Sequence, residues 1–181
     1  MSEVESLEAV EPRATVTAEQ FSGALAALTR RWQAWAKAPQ VDGRPAAHLR
    51  FVTATRAAAG PADFDRQWAE LVPRWEVIIG GSDWLGFVGF RPGIEGHVHL
   101  LCKGRYIEVE KLRREVVAAG WGKAIDVREV RDERRSISYV TKHADQVRRG
   151  YLRYGRFLAS AATEYHVAEV LRGWLVCAKS A

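Results

Sequence analysis

The chain has 181 residues and a mass of 20.3 kDa, with 48% hydrophobic and 27% charged residues; this suits one substantial core and excludes disordered, collagen-like and low-complexity chains. No apolar run reaches the roughly 18 residues a membrane helix needs, and the first 20 residues are acidic rather than basic and then apolar, so neither membrane insertion nor secretion is expected. Lys plus Arg is 27 against 22 Asp plus Glu, a net charge of +5, and 21 of those bases are Arg, whose planar fork suits phosphate, so the balance favours an anionic partner over a cationic one.

Residues 1–16 show no apolar period and read as a flexible acidic tail ahead of a single domain over 17–181 with helical extensions at both ends. Thr17 to Gln20 fits a capping box, and Phe21, Leu25, Leu28, Trp32 and Trp35 then form one apolar stripe on a helix running to about Ala38. From Ala47 to Thr55 the period changes to two, with Leu49, Phe51, Thr53 and Thr55 on one face of a strand. After Gly60-Pro61 comes a short helix through Phe64, Trp68 and Leu71, stopped near Pro73. Trp75–Ile79, Trp84–Phe90 and His97–Cys102 read as three strands joined by Gly-rich turns.

Leu112 and Val116 mark a helix over Val109–Ala119 that Gly120 and Gly122 close, and Ala124–Val130 alternates as a strand. Asp132 is a reasonable N-cap for a helix over 133–149. The stretch from Phe157 to Ala178 has a helical composition, with Leu171, Trp174 and Leu175 as its packing surface. Cys102 and Cys177 are isolated, fit neither a disulfide framework nor a CxxC zinc site, and point to a reducing cytoplasm. With no repeat and no domain-grade linker, the order of elements predicts an α+β fold: a five-stranded, mainly antiparallel sheet covered by helices.

Two short patterns carry chemistry. In His97-Val98-His99 the alternation of a strand sends both imidazoles to one face and Val98 and Leu100 to the other, and imidazoles two apart on a strand can chelate one divalent ion. On the helix after Asp132, Tyr139 and Lys142 share a face with Ser136 and His143, so a phenol has an ammonium beside it. A phenol is a weak nucleophile at neutral pH, but a cation and a polarised phosphate make its attack feasible. Either pattern alone arises by chance often enough to need the other. Residues 128–156 also hold nine bases and four acids, which fits a polyanionic partner and equally a solvated, salt-bridged helix face.

Taken in order, Phe51-Val-Thr-Ala-Thr55, Gly96-His-Val-His-Leu-Leu101 and Ser138-Tyr-Val-Thr-Lys-His143 resemble the three motifs of the HUH endonuclease superfamily, and in particular its rolling-circle replication initiator (Rep) proteins of plasmids and phages. The resemblance spans about residues 47 to 156. It implies a ferredoxin-like or RNA-recognition-motif-like sheet with the histidine strand in its middle. It further implies Mg²⁺ or Mn²⁺ held by His97 and His99, Tyr139 as the nucleophile that forms a 5′-phosphotyrosine link, and Lys142 as its cationic aid. Position 143, where two-tyrosine members carry their second tyrosine, is His, which implies a single-tyrosine enzyme.

Family members usually add a third ligand, often Glu, on the strand before the histidine pair, and Trp84–Gly93 holds no acid; the nearest donors are Asp83, Glu95 and His48. The expected partner is single-stranded DNA or an origin hairpin, met by Arg134, Arg135, Arg148 and Arg149 around Tyr139 and by the hydroxyls of Thr53 and Thr55. Trp84, Trp121 and Tyr151 are candidates for base stacking, though packing suits each as well. No phosphate-loop motif is present, so unwinding falls to a host helicase. A single-strand transposase or relaxase with the same chemistry, a catalytically silent DNA-binding module and a structural zinc protein are the alternatives.

Overall fold

A computed structural model describes residues 17–40, 43, 48–55, 61–79, 83–90, 96–104, 106–148, 154–160 and 175–177; the expected acidic tail over 1–16 lies outside them. Its elements are α1 (Ala18–Lys37), β1 (Leu49–Thr55), α2 (Pro61–Ile79), β2 (Trp84–Phe90), β3 (His97–Lys103), α3 (Val109–Ala118), β4 (Ile125–Glu129), α4 (Glu133–Arg148), β5 (Tyr154–Ala159) and β6 (Leu175–Cys177). The strands form one sheet in the order β4-β1-β3-β2-β5-β6, in which β4 to β5 pair antiparallel and β6 joins β5 in parallel. The chain is thus α+β, with an antiparallel sheet between helices. No helix among the described residues is long and apolar enough to cross a membrane.

Period-two alternation sorts the strands' side chains between two cores. Val52, Ala54, Val98 and Leu100 face α2 and α3, where Trp68, Trp75, Leu112 and Val116 cover them. Leu49, Leu85, Phe87 and Leu101 face α1 and α4, where Leu28, Trp32, Ile137 and Val140 cover them. The α1 stripe therefore packs as its spacing predicts, and α1 begins at the predicted capping box, with Thr17 Oγ1 accepting from Gln20 N–H and Gln20 Oε1 accepting from Thr17 N–H. At the end of α3, Gly120 (φ +81°) lets Trp121 N–H reach the Val116 carbonyl and its own N–H reach that of Val117, as a left-handed helix cap requires.

Two expectations fail. Trp75–Ile79 is helical, because α2 continues through Pro73. Trp68, Leu71, Val72, Trp75 and Ile79 keep helical spacing across the proline and are all buried in one core, while Pro73 itself faces solvent. The missing N–H of a mid-helix proline costs about 3 kcal/mol, less than the burial of two Trp and three aliphatic side chains returns. The C-terminal stretch is also not helical where it is described: Tyr154–Ala159 and Leu175–Cys177 are strands. β5 lies between β2 and β6, and Phe157, Leu158 and Ala159 are all fully buried, so the alternation that marks a half-exposed strand is absent. Leu171 and Trp174 lie outside the described residues, as does the side chain of Leu175.

A buried ion pair anchors α1 to the sheet. Lys103, 1% exposed at the end of β3, donates from Nζ to the Ala38 carbonyl (2.9 Å), lies 3.7 Å from Asp83 Oδ2 and stands over the Trp35 ring. Trp35 Nε1–H in turn donates to Asp83 Oδ1 (2.6 Å). Burial pulls the ammonium's pKa down and the Asp83 carboxylate counters it. The charge therefore sits at the C-terminal end of α1, where free carbonyls favour a cation.

Candidate active site

The register of the central strands builds the site. Thr53 pairs with His99 and Thr55 with His97 across β1 and β3, so the four side chains share the face that α4 covers. Thr53 Oγ1 lies 3.1 Å from His99 Nδ1 and Thr55 Oγ1 lies 3.3 Å from His97 Nδ1. In the tautomer with its proton on Nδ1, each ring donates to a threonine oxygen and leaves the Nε2 lone pair for another partner. The hydroxyls expected to meet DNA thus engage the histidines.

α4 starts at Asp132, whose carboxylate accepts from Arg135 N–H (2.9 Å), and buries Ile137, Val140 and Ala144. One flank of the helix then hangs over the histidine strand. Tyr139, 48% exposed, meets His99 edge-on with ring centroids 5.4 Å apart. His143 stacks on His99 at 4.7 Å and presents an edge contact to Tyr139 at 4.9 Å. Phe51 stacks on His99 at 5.6 Å and meets Tyr139 at 5.8 Å. Phe51, His99, Tyr139 and His143 therefore form one aromatic cluster. His143 Nδ1–H donates to Gln146 Oε1 (2.9 Å), which fixes the turn of that ring.

Burial, with smaller contributions from His143 and His97, lowers the His99 pKa to about 3, so the ring is neutral at neutral pH, the form that binds a metal ion. Two imidazoles with anchored Nδ1 atoms fit a divalent ion as two of its donors. Among the described residues, no group of three or more His, Cys, Asp or Glu is placed to hold one. The three further donors considered from sequence do not complete the set. Asp83 is committed to Lys103 and Trp35 at the far end of the strand pair, and the exposed His48 pairs with Glu129. Glu95 lies outside the described residues. Ions of the Mg²⁺ and Mn²⁺ class tolerate several water ligands, so two protein donors are compatible with binding.

Lys142 is exposed one turn along from Tyr139, with no hydrogen-bond or ion-pair partner among the described residues. Arg134 and Arg135 are exposed on the first turn of α4; the side chain of Arg148 and all of Arg149 lie outside the described residues. Trp84 (0% exposed) and Trp121 (4%) are packing residues of the α2 and α3 core, so base stacking falls to neither, and Tyr151 is outside the described residues.

A cavity of about 500 Å³ opens from Tyr139 and His99 toward the β4 edge, between the sheet and the first half of α4. Phe51 and Tyr139 supply aromatic surface, and Asp126, Arg128, Glu129, Arg131 and Arg135 supply charge. Of these, only Arg135 was singled out as a site residue from sequence. Arg128 and Arg131 appear there merely in a basic run, and Asp126 reaches the site through β1–β4 pairing, where it stands opposite Thr53. No protein-family model, curated protein or solved structure matches the chain.

Proposed function

We propose that this chain is a metal-dependent, single-tyrosine DNA nicking and joining enzyme that acts on single-stranded or extruded origin DNA to start rolling-circle replication. The observation that carries the reading is the 5.4 Å contact between the Tyr139 and His99 rings, on the same sheet face as His97, with the phenol half exposed. A phenol beside a pair of imidazoles on one sheet face is what metal-assisted phosphoryl transfer to tyrosine needs.

In this mechanism Tyr139 Oη attacks phosphorus in line and gives up its proton. The bond from phosphorus to the 3′-oxygen breaks, that oxygen leaves as a hydroxyl after taking a proton, and the 5′-phosphate stays on the tyrosine. The phosphotyrosine retains the bond energy, so a later 3′-hydroxyl reverses the step and joins strands without ATP. His97 and His99 would hold Mg²⁺ or Mn²⁺, which when bound supplies positive charge to polarise the phosphate oxygens. Lys142, exposed and without a carboxylate partner among the described residues, offsets the charge that develops as the phenol attacks. Arg134 and Arg135 meet strand phosphates. His143 supplies no second tyrosine, in keeping with one nucleophile per chain.

The two-imidazole donor set favours a second reading, a catalytically silent single-stranded DNA-binding module. One assay separates them. Incubated with labelled single-stranded origin DNA and Mn²⁺, the protein is expected to form an adduct that survives denaturant, and Tyr139→Phe is expected to abolish it. Binding without an adduct supports the silent module; an adduct that persists in Tyr139→Phe overturns the nucleophile assignment.

A further inference from the structure

We infer that the cavity between β4 and α4 is a subsite for one nucleotide of the bound strand, and that it prefers a base carrying an exocyclic amine over thymine. The inference rests on the proposed reading for its ligand, single-stranded DNA, and goes beyond it in naming the residues that discriminate bases.

The cavity's volume, about 500 Å³, accommodates a nucleotide, and the cavity begins at Tyr139 itself, so a strand presenting a phosphate to that phenol has a neighbouring nucleotide at its mouth. Phe51 and Tyr139 give an aromatic surface for a base. Glu129 also lines the cavity but faces His48 and Arg50, and the remaining charges divide into two groups. Arg128 Nε lies 2.6 Å from Asp126 Oδ2 in an ion pair, so this guanidinium is committed. Arg131 and Arg135 line the same cavity from the β4–α4 connection and the first turn of α4, and neither has a carboxylate partner among the described residues. Two free guanidiniums beside an aromatic surface match a phosphate attached to a base.

Asp126 sets the preference. It stands on the sheet face beside Thr53, in the row that continues to His99, and its carboxylate keeps acceptor capacity beside its ion pair with Arg128. A carboxylate accepts from the amine of cytosine or adenine, and from the paired N–H groups of guanine. Thymine presents one imino N–H between two carbonyl oxygens, which a carboxylate repels.

The test uses the full chain in EDTA, with fluorescein-labelled 12-nucleotide oligo(dC), oligo(dA) and oligo(dT) titrated by fluorescence anisotropy. Oligo(dC) against oligo(dT) is the decisive pair, because both are pyrimidines of similar stacking strength. Oligo(dC) is expected to bind at least about fivefold tighter, and Asp126→Asn to bring that ratio toward one. Arg131→Ala with Arg135→Ala is expected to weaken all three oligonucleotides alike and to reduce the log–log salt slope by about 0.7, the value for one phosphate contact on a single strand. Equal affinity for oligo(dT) and oligo(dC), a ratio that survives Asp126→Asn, an unchanged salt slope in the double variant, or no binding to any oligonucleotide at low salt would each overturn the inference. The Mn²⁺ adduct assay fails separately: an adduct without base preference removes the subsite and leaves the nickase, whereas base preference without an adduct removes the nickase and leaves the subsite in a silent module.

Discussion

Thr53 is the residue whose position says most about how the histidines are meant to work. It lines the cavity beside Tyr139, and its hydroxyl lies 3.1 Å from His99 Nδ1 and holds the ring's orientation. Outer partners of metal-binding histidines typically contribute 10- to 100-fold to metal affinity. Thr53→Val keeps the β-branched shape that suits a strand and removes the oxygen. It is expected to raise the Mn²⁺ concentration for half-maximal adduct formation by about 10- to 100-fold while leaving the circular dichroism spectrum unchanged. An unshifted Mn²⁺ dependence would mean that the hydroxyl does not serve a metal ligand.

At the scale of elements, the β2–β3 pair is the rigid support of the site, and Gly86 is where its closeness is decided. A Cβ on Gly86 would fall on Leu100 Cδ2 and the His99 carbonyl oxygen, so the two strands approach as only glycine allows. Gly86→Ala must push β2 from β3, and overpacking of this kind costs about 1–3 kcal/mol, to be read as a lower urea midpoint at unchanged slope. The histidine strand was legible from sequence because a period of two needs only three residues to show itself, and the α1 stripe and the Asp132 cap were legible for the same local reason. The helical course of Trp75–Ile79 was not, because Pro73 is a strong local breaker that long-range packing overrode. β5 was not, because a strand buried on both faces loses its alternation. The cavity was invisible because Asp126, Arg131 and Tyr139 meet Phe51 and Thr53 only through the pairing of β1 with β4, some 70 positions apart in sequence.

For the whole molecule, the buried His99 ties stability to pH. Its pKa is about 3 in the folded chain and near 6.5 when unfolded, so between those values the unfolded state binds a proton that the folded state refuses. The stabilisation is fully present above pH 6.5 and is lost as pH falls toward 3, at up to about 1.4 kcal/mol per pH unit from this group. Urea denaturation at pH 7, 6 and 5 is expected to show that decline before most carboxylates titrate, and a His99→Gln variant is expected to flatten it. Equal slopes in the two proteins would place the origin of the decline elsewhere.

The helix that bears the phenol does not rest on the sheet alone. α1 lies along its other side, and Thr29 Oγ1 and Thr141 Oγ1 join the two at 3.2 Å. Because α1 is in turn clasped at its C-terminal end by the Lys103 ammonium, a charge hidden several turns from Tyr139 serves as a backstop for the proposed nucleophile. Loosening that distant latch would let Tyr139 drift from His99 while every group of the proposed reaction centre stayed chemically intact.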